Sequence, residues 1–351
     1  MPLLPLQARK GNEKTMKRIP VYVVLLASMM YGSVSAQDYR PEIHGTLRAK
    51  YENMPQEGVG RFEVRNARFS ITGQLMEEVS YKAEIDFSDE GNIKMLDAYT
   101  RIAPWKFVRF TIGQFRVPFT IDAHRSPHQQ YFANRSFIAK QVGNIRDVGA
   151  TVGFTVQGVL PMQIEGGVFN GSGLTGQKDY WTKDINFSAK AQIFFPKGFN
   201  LTLSAQKIHP GRHSIMMYDV GTFWHAKGWH VEAEYLLKHY CKETFGDVHA
   251  FDGFIAYDIP LKGKKKLVKK VSPLLRYDFM SDHSSGVAGE DGRLFVEDYK
   301  RHRITGGVTL SLSKPFISDI RLNYESYFYR DGAVPKVSEK DKIVLEVMTR
   351  F

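Results

Sequence analysis

Cysteine is almost missing from this sequence: its 351 residues include one, Cys241. A lone cysteine excludes an intrachain disulfide framework, so the fold has to be stabilised by other interactions. We assign no function to Cys241. Long apolar runs are missing as well, because no stretch approaches the roughly 20 residues with which a helix spans a bilayer. The pattern therefore excludes membrane-spanning helices.

Motifs of catalysis and metal binding are also missing. The sequence has 11 histidines but no HExxH pattern, and it has no GxSxG elbow around a serine. Histidines on strands, such as His44, His230 and His249, are expected to be lumen residues. We therefore expect no enzyme activity and no cofactor. Asp89 and Glu90, together with acidic residues at 290–298, offer oxygen atoms to calcium, but no ligand spacing demands it, so we expect no metal site.

The N-terminus has the pattern of a secretory signal peptide. A basic start at 16–18 precedes an apolar run at 20–31, and the small residues at 34–36 follow it. We expect residues 1–36 to be removed, with the true start at Met16, and residues 37–351 to form a single domain. The formal net charge of +11 suits acidic partners. A secreted chain is unlikely to meet nucleic acid, so we expect no nucleic-acid partner.

Beyond the signal peptide, polar and apolar side chains alternate with a period of two. In residues 42–51, for example, the odd positions carry Ile43 and Leu47 while the even positions carry Thr46, Arg48 and Lys50. Such alternation predicts a strand with one apolar and one polar face.

The alternation recurs in about sixteen segments, many of them near the 9 to 11 residues of a tilted membrane-spanning strand. The predicted strands are 42–51, 67–75, 79–87, 96–102, 107–113, 148–156, 163–169, 185–195, 199–207, 217–224, 229–237, 248–257, 274–280, 303–312, 320–329 and 342–351.

The connections between these segments alternate in length. Long odd-to-even links are expected at 52–61, 114–147, 170–184, 208–216, 281–300 and 330–341. The even-to-odd links are mostly brief, and only the lysine-rich stretch 260–273, which includes the run 262–270, is a long link of the other parity. Long external loops and short periplasmic turns are typical of outer-membrane barrels, in which 260–273 would be an extended turn.

Three observations favour such a barrel over a soluble β-sandwich, which also alternates. The polar faces carry many charges, such as Lys82, Glu84 and Asp86, which a wet lumen accepts. The last strand ends on Phe351, which resembles the recognition signal of the barrel-assembly machinery. Aromatic residues stand at strand ends, as interfacial girdles require. These aromatic residues are Trp105, Phe107, Trp224, Trp229, Tyr257, Tyr324 and Tyr329.

The predicted fold is therefore all-β: a transmembrane antiparallel β-barrel of about 16 strands. A closed barrel pairs every backbone amide and carbonyl in lipid without leaving an edge. At this size the bore is wider than side chains can fill, so an aqueous channel remains. The longest link, 114–147, joins strands 5 and 6, and we expect it to fold inward as a constriction loop.

Charges on this loop and on the inward faces indicate where selectivity lies. The basic residues expected to form an anion path are Arg116, Arg125, Arg135, Lys140 and Arg146. Two acids, Asp122 and Asp147, and two histidines, His124 and His128, accompany them. Strand parity adds Arg48, Lys50, Arg68, Arg101 and Arg109 to the pore lining, together with Lys190, Arg276, Arg321 and the acids Glu84, Asp86, Asp97, Glu232 and Glu234. Arginine and lysine at a constriction favour anions, because a fixed cation offsets the dehydration of an anion entering the pore.

Several motifs resemble the phosphate-selective porin O and P family. They are GQFRVPF at 113–119, RDVG at 146–149, GVFNGSG at 167–173, DAY at 97–99 and RNAR at 65–68. The resemblance implies a sixteen-stranded outer-membrane barrel, usually a trimer, with a basic path for phosphate or polyphosphate. It places Arg116 on the constriction loop and Arg65 and Arg68 on the second strand. The sequence departs from the family pattern where Asn66 interrupts an expected arginine pair, and where no lysine stands between Arg116 and Arg135.

Alternative functions stay open at this point. A general porin, or one for organic anions or oligosaccharides, is the main alternative, with loop aromatics serving either as a sugar slide or as packing against the wall. These aromatics are Phe115, Phe119, Tyr131, Phe132 and Phe137. A barrel hydrolase and a surface adhesion protein are weaker alternatives. The expected setting is the outer membrane of a Gram-negative bacterium, and the expected partners are small anions, the bilayer with its lipopolysaccharide, the barrel-assembly machinery and further copies in a homotrimer.

Overall fold

The computed structural model of the protein describes residues 39–89, 92–141, 146–210, 213–263, 267–284, 286–290, 292–313 and 317–351. The expected signal peptide, 1–36, lies outside the described residues. So do Glu90 and Asp291, two of the acidic residues considered as calcium ligands.

Strands dominate the described chain. They are β1 (Glu42–Met54), β2 (Val59–Met76), β3 (Val79–Asp89), β4 (Asn92–Trp105), β5 (Val108–Arg116), β6 (Arg146–Val156), β7 (Met162–Phe169), β8 (Asn186–Phe195), β9 (Phe199–Ile208), β10 (Ile215–Ala226), β11 (Trp229–Tyr240), β12 (Val248–Tyr257), β13 (Ile259–Pro260), β14 (Val268–Met280), β15 (Arg301–Leu312), β16 (Ile317–Tyr329) and β17 (Lys342–Arg350). One short helix, α1 (Phe137–Gln141), lies between β5 and β6. Single 3₁₀ turns lie at Asp122–His124, Pro127–Gln129, Pro196–Gly198, Cys241–Glu243 and Val337–Glu339. No helix in the described ranges has the length and apolar character needed to cross a membrane.

The strands form a closed antiparallel barrel. Each strand pairs with its neighbours in the sequence. The two-residue β13 continues β12, and both pair with β14, so the seventeen labelled segments form sixteen barrel strands around the lumen. β1 closes the ring by pairing with β17, from Thr46 opposite Arg350 to Asn53 opposite Ile343. The prediction of a barrel of about sixteen antiparallel strands is confirmed.

A pair of hydrogen bonds fastens the end of the chain to β1. The Gly45 amide donates to the Phe351 carbonyl at 2.8 Å, and the Phe351 amide donates to the Gly45 carbonyl at 3.0 Å. The Phe351 ring lies on the face of Gly45, where an added Cβ would stand only 2.3 Å from the ring. A side chain at position 45 would therefore force the Phe351 ring to move.

The two faces of the barrel reverse the distribution found in a soluble protein. Ile343, Leu345 and Val347 of β17 are outward and exposed, whereas Lys342, which precedes them, and Glu346, which lies among them, are inward and buried. The largest fully buried side chains of the described chain include Arg301, Arg303 and Arg321. Since a charged side chain is almost never buried without a partner, much of the lumen has to be an ionic network.

The long links gather at one rim of the barrel. At the long-link rim the connections are 55–58, 90–91, 117–145, 170–185, 209–214, 241–247, 281–300 and 330–341. At the short-link rim they are 77–78, 106–107, 157–161, 196–198, 227–228, 261–267 and 313–316. Aromatic rings cluster at the short-link rim as predicted: Trp105 and Phe107 stack at 6.1 Å, and Trp229 meets Tyr257 at 4.5 Å.

Two predicted links are shorter than expected. β1 and β2 extend toward each other, so the link predicted at 52–61 shrinks to 55–58. Half of the long turn predicted at 260–273 is strand, because Ile259 and Pro260 pair with Val271 and Lys270, and β14 begins at Val268. The connection shortens to 261–267, which is still the longest at the short-link rim.

Two side chains face the opposite way from the prediction. Tyr329, expected in an outer aromatic girdle, stacks on the buried Tyr327 at 6.4 Å and donates to the Glu339 carbonyl at 2.6 Å. His249, expected in the lumen, accepts from or donates to the hydroxyl of exposed Tyr235 at 2.7 Å. On β12 the inward positions are the even ones, which places His249 outside.

An apolar core lies inside the barrel, beneath the link between β5 and β6. From this link Phe119, Phe137 and Ile138 pack in one cluster with Met217 and Leu236 of the wall. Phe115, Phe119, Phe132 and Phe137 are all at most 5% exposed. Of the two roles left open for these aromatics, a sugar slide or packing, the structure shows packing.

Candidate functional site

The β5–β6 link (117–145, described to 141) is fixed to the inner wall at its beginning by a carboxylate. Glu234 of β11 accepts hydrogen bonds from the backbone amides of Ile121 and Asp122. Beside it, the Thr120 amide donates to the Ser204 hydroxyl at 3.1 Å, and Lys190 donates to the Thr120 carbonyl at 2.5 Å. Buried side chains of the wall thus satisfy backbone groups that would otherwise lack partners.

An arginine–carboxylate pair fixes the middle of the link. Arg125 donates to both oxygens of Glu232, one of them at 2.7 Å, and lies 5.3 Å from the centre of the Tyr131 ring. Burial opposes the charged form of Arg125, but the Glu232 carboxylate outweighs burial and raises the arginine pKa. Bidentate pairing is the strongest common hydrogen-bonded geometry for these groups, so Arg125 acts as an anchor.

Opposite strands fix the end of the link. The Ala133 amide donates to Asn323 at 2.8 Å, and the Ala133 carbonyl accepts from Arg48 at 2.8 Å. Arg303 donates to the Arg135 carbonyl at 2.7 Å and its guanidinium lies 4.6 Å from the centre of the Phe137 ring. Apart from a bond with Arg116 of β5, the described hydrogen bonds between the link and the wall go to β1, β8, β9, β11 and β14 to β17.

Most of the predicted pore-lining cations are paired with acids. Arg48 pairs with Glu346 at 2.5 Å, Lys50 with Glu52 at 2.7 Å, Arg68 with Asp86 at 2.9 Å, Arg109 with Glu165 at 2.7 Å and Arg146 with Asp97 at 2.7 Å. Arg101 instead donates to the Thr111 hydroxyl at 3.1 Å. Four of the five cations predicted to line the pore are therefore neutralised by a nearby carboxylate. Within the predicted anion path, the positive charges of Arg125 and Arg146 are neutralised by carboxylates.

Two of the predicted path residues, Arg116 and Arg135, keep a positive charge without an acid. Arg116 donates to the His124 carbonyl, and Arg135 donates to the carbonyls of Asp122 and Arg125 at 2.5 and 2.7 Å. Within the described chain neither guanidinium has a carboxylate oxygen within 4.0 Å. Burial lowers the pKa of Arg135 to about 10, and nearby arginines contribute to that shift, yet the group stays charged at neutral pH.

Lys140 lies apart from these two arginines. It is exposed in the last turn of α1, and it too has no carboxylate within 4.0 Å in the described chain. The histidines of the link add no charge at neutral pH, because burial lowers the pKa of His124 and brings that of His128 to about 4. The positive charge that no carboxylate neutralises thus comes from Arg135 and Lys140 of the link and from Arg116 at the end of β5.

The motifs that resemble the porin family are joined to neighbouring segments by hydrogen bonds. The Asp147 carboxylate accepts from the Gly171 and Gly173 amides at 2.6 and 3.1 Å. Gln114 donates to the Leu96 carbonyl at 2.9 Å. Asn66, which interrupts the expected arginine pair, accepts from Arg48 at 3.3 Å and donates to Asp86 at 2.9 Å. These bonds join neighbouring wall strands to one another and join β6 to the link 170–185.

The sequence reasoning missed several inward-facing charges that complete the network. They are Asp219, Asp252, Asp278, Arg301, Arg303, Glu325 and Glu346. The same period-two parity that predicted Arg48 would have placed each of them on an inward face. Only the pairing of each with a neighbour across the sheet needed the register of the strands.

A closed barrel of sixteen strands, with an apolar outer surface, a charged lumen and a link folded onto the inner wall, is the fold of a porin. Residues 45–190 match the model of the family described as phosphate-selective porin O and P. This match confirms the family resemblance drawn from the sequence motifs.

Solved porin structures share the fold at low sequence identity. An anion-selective porin from Comamonas acidovorans superposes with a TM-score of 0.59 at 13% identity, covering 89% of this chain and 99% of its own. The outer-membrane channel DcaP of Acinetobacter baumannii gives 0.59 at 10% identity, covering 89% and 97%. The trimer form of OmpT, an outer-membrane protein of Vibrio cholerae, gives 0.58 at 10% identity, covering 89% and 98%. No curated protein sequence matches the chain.

Proposed function

We propose that this protein is a passive channel for small anions in the outer membrane of a Gram-negative bacterium. The observation that carries the proposal is the pair Arg116 and Arg135, whose guanidinium groups are held by backbone carbonyls and have no acid within 4.0 Å in the described chain. A guanidinium that only carbonyls hold retains its full charge for a passing anion.

The balanced wall around these arginines supports conduction rather than tight binding. Arg68 and Arg146 contribute positive charge near the path, but Asp86 and Asp97 compensate it. A channel has to attract an anion enough to offset dehydration and still release it. Two free arginines among paired ones provide a moderate attraction, and guanidinium geometry suits phosphate or polyphosphate oxygens.

The proposal includes the setting of the channel. The family match and the fold support a porin that assembles as a homotrimer, faces lipopolysaccharide with its apolar outer surface and reaches the membrane through the barrel-assembly machinery. The expected signal peptide, 1–36, fits export, and the long-link rim is assigned to the cell exterior.

The test is planar-bilayer conductance in gradients of chloride, phosphate and pyrophosphate. The double variant Arg116→Gln with Arg135→Gln is expected to lower the anion-to-cation permeability ratio by about twofold or more, because the fixed charge nearest the path is removed. The control, Arg109→Gln with Glu165→Gln, also replaces two charged residues, but they neutralise each other in the wild type. It is expected to leave the permeability ratio unchanged. An unchanged reversal potential in the double variant would contradict the proposal.

A general organic-anion porin is the second candidate. The extensive pairing of wall arginines favours it, because few free charges remain to distinguish phosphate from other anions. If phosphate permeates no better than chloride in the wild-type channel while anions still exceed cations, the general channel is the correct reading. A higher permeability for phosphate or pyrophosphate would establish the phosphate-selective one.

A further inference from the structure

A second cationic site lies at the long-link rim, outside the arginine pair of the link. A cavity of about 270 Å³ opens between the ends of β9, β10 and β11, the end of α1 and the link 281–300. Its apolar lining includes Ile208, Ile215 and Leu294, and its polar lining includes Lys238 and Lys140. Neither Arg116 nor Arg135 contributes to it.

Lys238 is the unusual group in this cavity. It is 6% exposed, and its ammonium group donates to Nε2 of His283 at 2.9 Å. No carboxylate oxygen of the described chain lies within 4.0 Å of it. Its stem lies beside Tyr240, whose ring centre is 5.0 Å from the nitrogen. A buried ammonium without a counter-ion is costly, so an anion from solution would stabilise it.

His283 does not supply that negative charge. Because an ammonium group has only donors, Nε2 of His283 has to accept, which puts the proton of the neutral ring on Nδ1. Nδ1 faces the Asp298 carboxylate at 3.8 Å, and Asp298 is already paired with Lys336. Burial lowers the pKa of His283, which keeps the ring neutral. The positive charge of Lys238 therefore remains uncompensated.

The rest of the lining determines what kind of anion fits. Lys140 adds a second ammonium group, while Ile208, Ile215 and Leu294 offer an apolar wall. The Tyr240 hydroxyl, in a residue only 2% exposed, has no hydrogen-bond partner in the described chain. Inorganic phosphate would use the charge but leave the apolar wall without a contact. A small ring that carries a carboxylate would use both.

We propose that this cavity is a binding site for organic monoanions that consist of a compact ring and one carboxylate. The carboxylate lies toward Lys238 and the ring lies against Ile208, Ile215 and Leu294. The site is located where solutes enter from the long-link rim, so it would raise the local concentration of such anions at the mouth. It goes beyond the proposed channel function and does not depend on the selectivity of Arg116 and Arg135.

The experiment is ligand-observed NMR on the full chain in detergent, with benzoate as the probe and benzyl alcohol as its neutral counterpart. Wild-type protein is expected to bind benzoate more tightly than benzyl alcohol. Lys238→Gln is expected to weaken benzoate binding by about tenfold, which corresponds to about 1.4 kcal/mol. Lys106→Gln, at an exposed turn of the short-link rim, is the matched control and is expected to bind benzoate as the wild type does.

Two results would overturn this site: equal binding of benzoate and benzyl alcohol by the wild type, or equal benzoate binding by Lys238→Gln and Lys106→Gln. If Lys238→Gln does not fold, Lys238→Arg and the wild-type comparison still decide, because the arginine variant keeps the charge and is expected to keep benzoate binding.

A last arm separates this proposal from the channel proposal. The double variant Arg116→Gln with Arg135→Gln is expected to lose anion preference in bilayers and still bind benzoate. Benzoate binding that disappears in this double variant would mean that the probe occupies the arginine path, and the separate site would be rejected. Anion preference that persists in it, with benzoate binding intact, would reject the channel mechanism alone.

Discussion

At the scale of residues, the lumen is governed by pairing. An arginine that faces the pore contributes to selectivity only to the extent that no acid neutralises it. Arg125 and Arg146 were predicted to attract anions, but their carboxylate partners make them structural. Arg116 and Arg135, held by carbonyls, are the residues through which a mutation should change selectivity.

The histidines of the link lead to a prediction about pH. His128 has its pKa lowered to about 4 by burial and by the nearby Arg350, so the neutral ring persists from pH 8 down to about pH 5. Anion preference is expected to stay flat over that range and to rise only below it, as the ring gains a proton. The measurement is the reversal potential in a chloride gradient at stepped pH.

His128→Gln is the control for this pH dependence. It is expected to match the wild type above pH 5 and to show a smaller rise below it, since carboxylates of the lumen also titrate there. A wild-type transition near pH 6.5 that His128→Gln abolishes would show that the ring is charged at ordinary pH, against the structure.

At the scale of elements, the β5–β6 link is held by wall side chains rather than by regular structure of its own. Its one helix, α1, spans only Phe137–Gln141. A link of this kind keeps its place only while its anchors are intact, because short helices are not stable in isolation.

The anchor between Arg125 and Glu232 can be tested by Glu232→Gln. Loss of the carboxylate leaves the buried Arg125 guanidinium with only the Asp122 carboxylate, at 3.7 Å. Breaking a buried pair costs about 3–5 kcal/mol. The link is expected to loosen, and open-channel current noise in bilayers is expected to rise.

Glu165→Gln is the matched control, since Glu165 pairs with Arg109 on a wall strand outside the link. It removes the same charge and is expected to leave the noise unchanged. Equal noise in the two variants would mean that lumen charge, and not anchoring of the link, controls the fluctuations.

Alternation predicted the strands well but failed where a bulge changes its phase. β2 begins at Val59, whereas the alternation predicted a start at Ala67. The prediction missed the first part of the strand because the register shifts opposite Arg48 and Ala49 and leaves Arg65 as an extra residue. The extra residue reverses which positions face inward, so the inward positions of β2 before Arg65 do not follow the same alternation as those after it. β14 begins at Val268 rather than at Leu274, and its register shift between Val268 and Lys270 lies outside the part of the strand that the alternation predicted.

The site was less accessible to prediction than the fold. Parity gave the inward direction of Arg48 and Arg68 from the sequence alone. Their neutralisation by Glu346 and Asp86 depends on which strands are neighbours and in what register, and Glu346 is far from Arg48 in the chain. The free charge of Arg135 depends on the folded path of the link, which no local pattern encodes.

At the scale of the whole molecule, closure depends on the contact between Gly45 and Phe351. Gly45→Ala would place a methyl group inside the Phe351 ring volume and disturb the two hydrogen bonds that join the chain end to β1. We expect the free energy of unfolding to fall by about 1–3 kcal/mol, the usual cost of overpacking. The measurement is the thermal unfolding temperature of the variant in detergent.

Gly306→Ala is the control, because an added Cβ at Gly306 meets only Leu275, at 3.9 Å. It is expected to unfold at the wild-type temperature. If both alanine variants unfold at the same temperature, the terminal phenyl ring does not contribute to closure.

The neighbour of β1 is the last strand of the chain, and this sets an order of events during biogenesis. Until Lys342–Arg350 is present, the sheet has two edge strands whose outer amides and carbonyls have no hydrogen-bond partner. They are β1 and the last strand formed. Such edges invite pairing with other chains. A variant truncated before residue 342 would keep the edges of β1 and β16 unpaired and is therefore expected to aggregate.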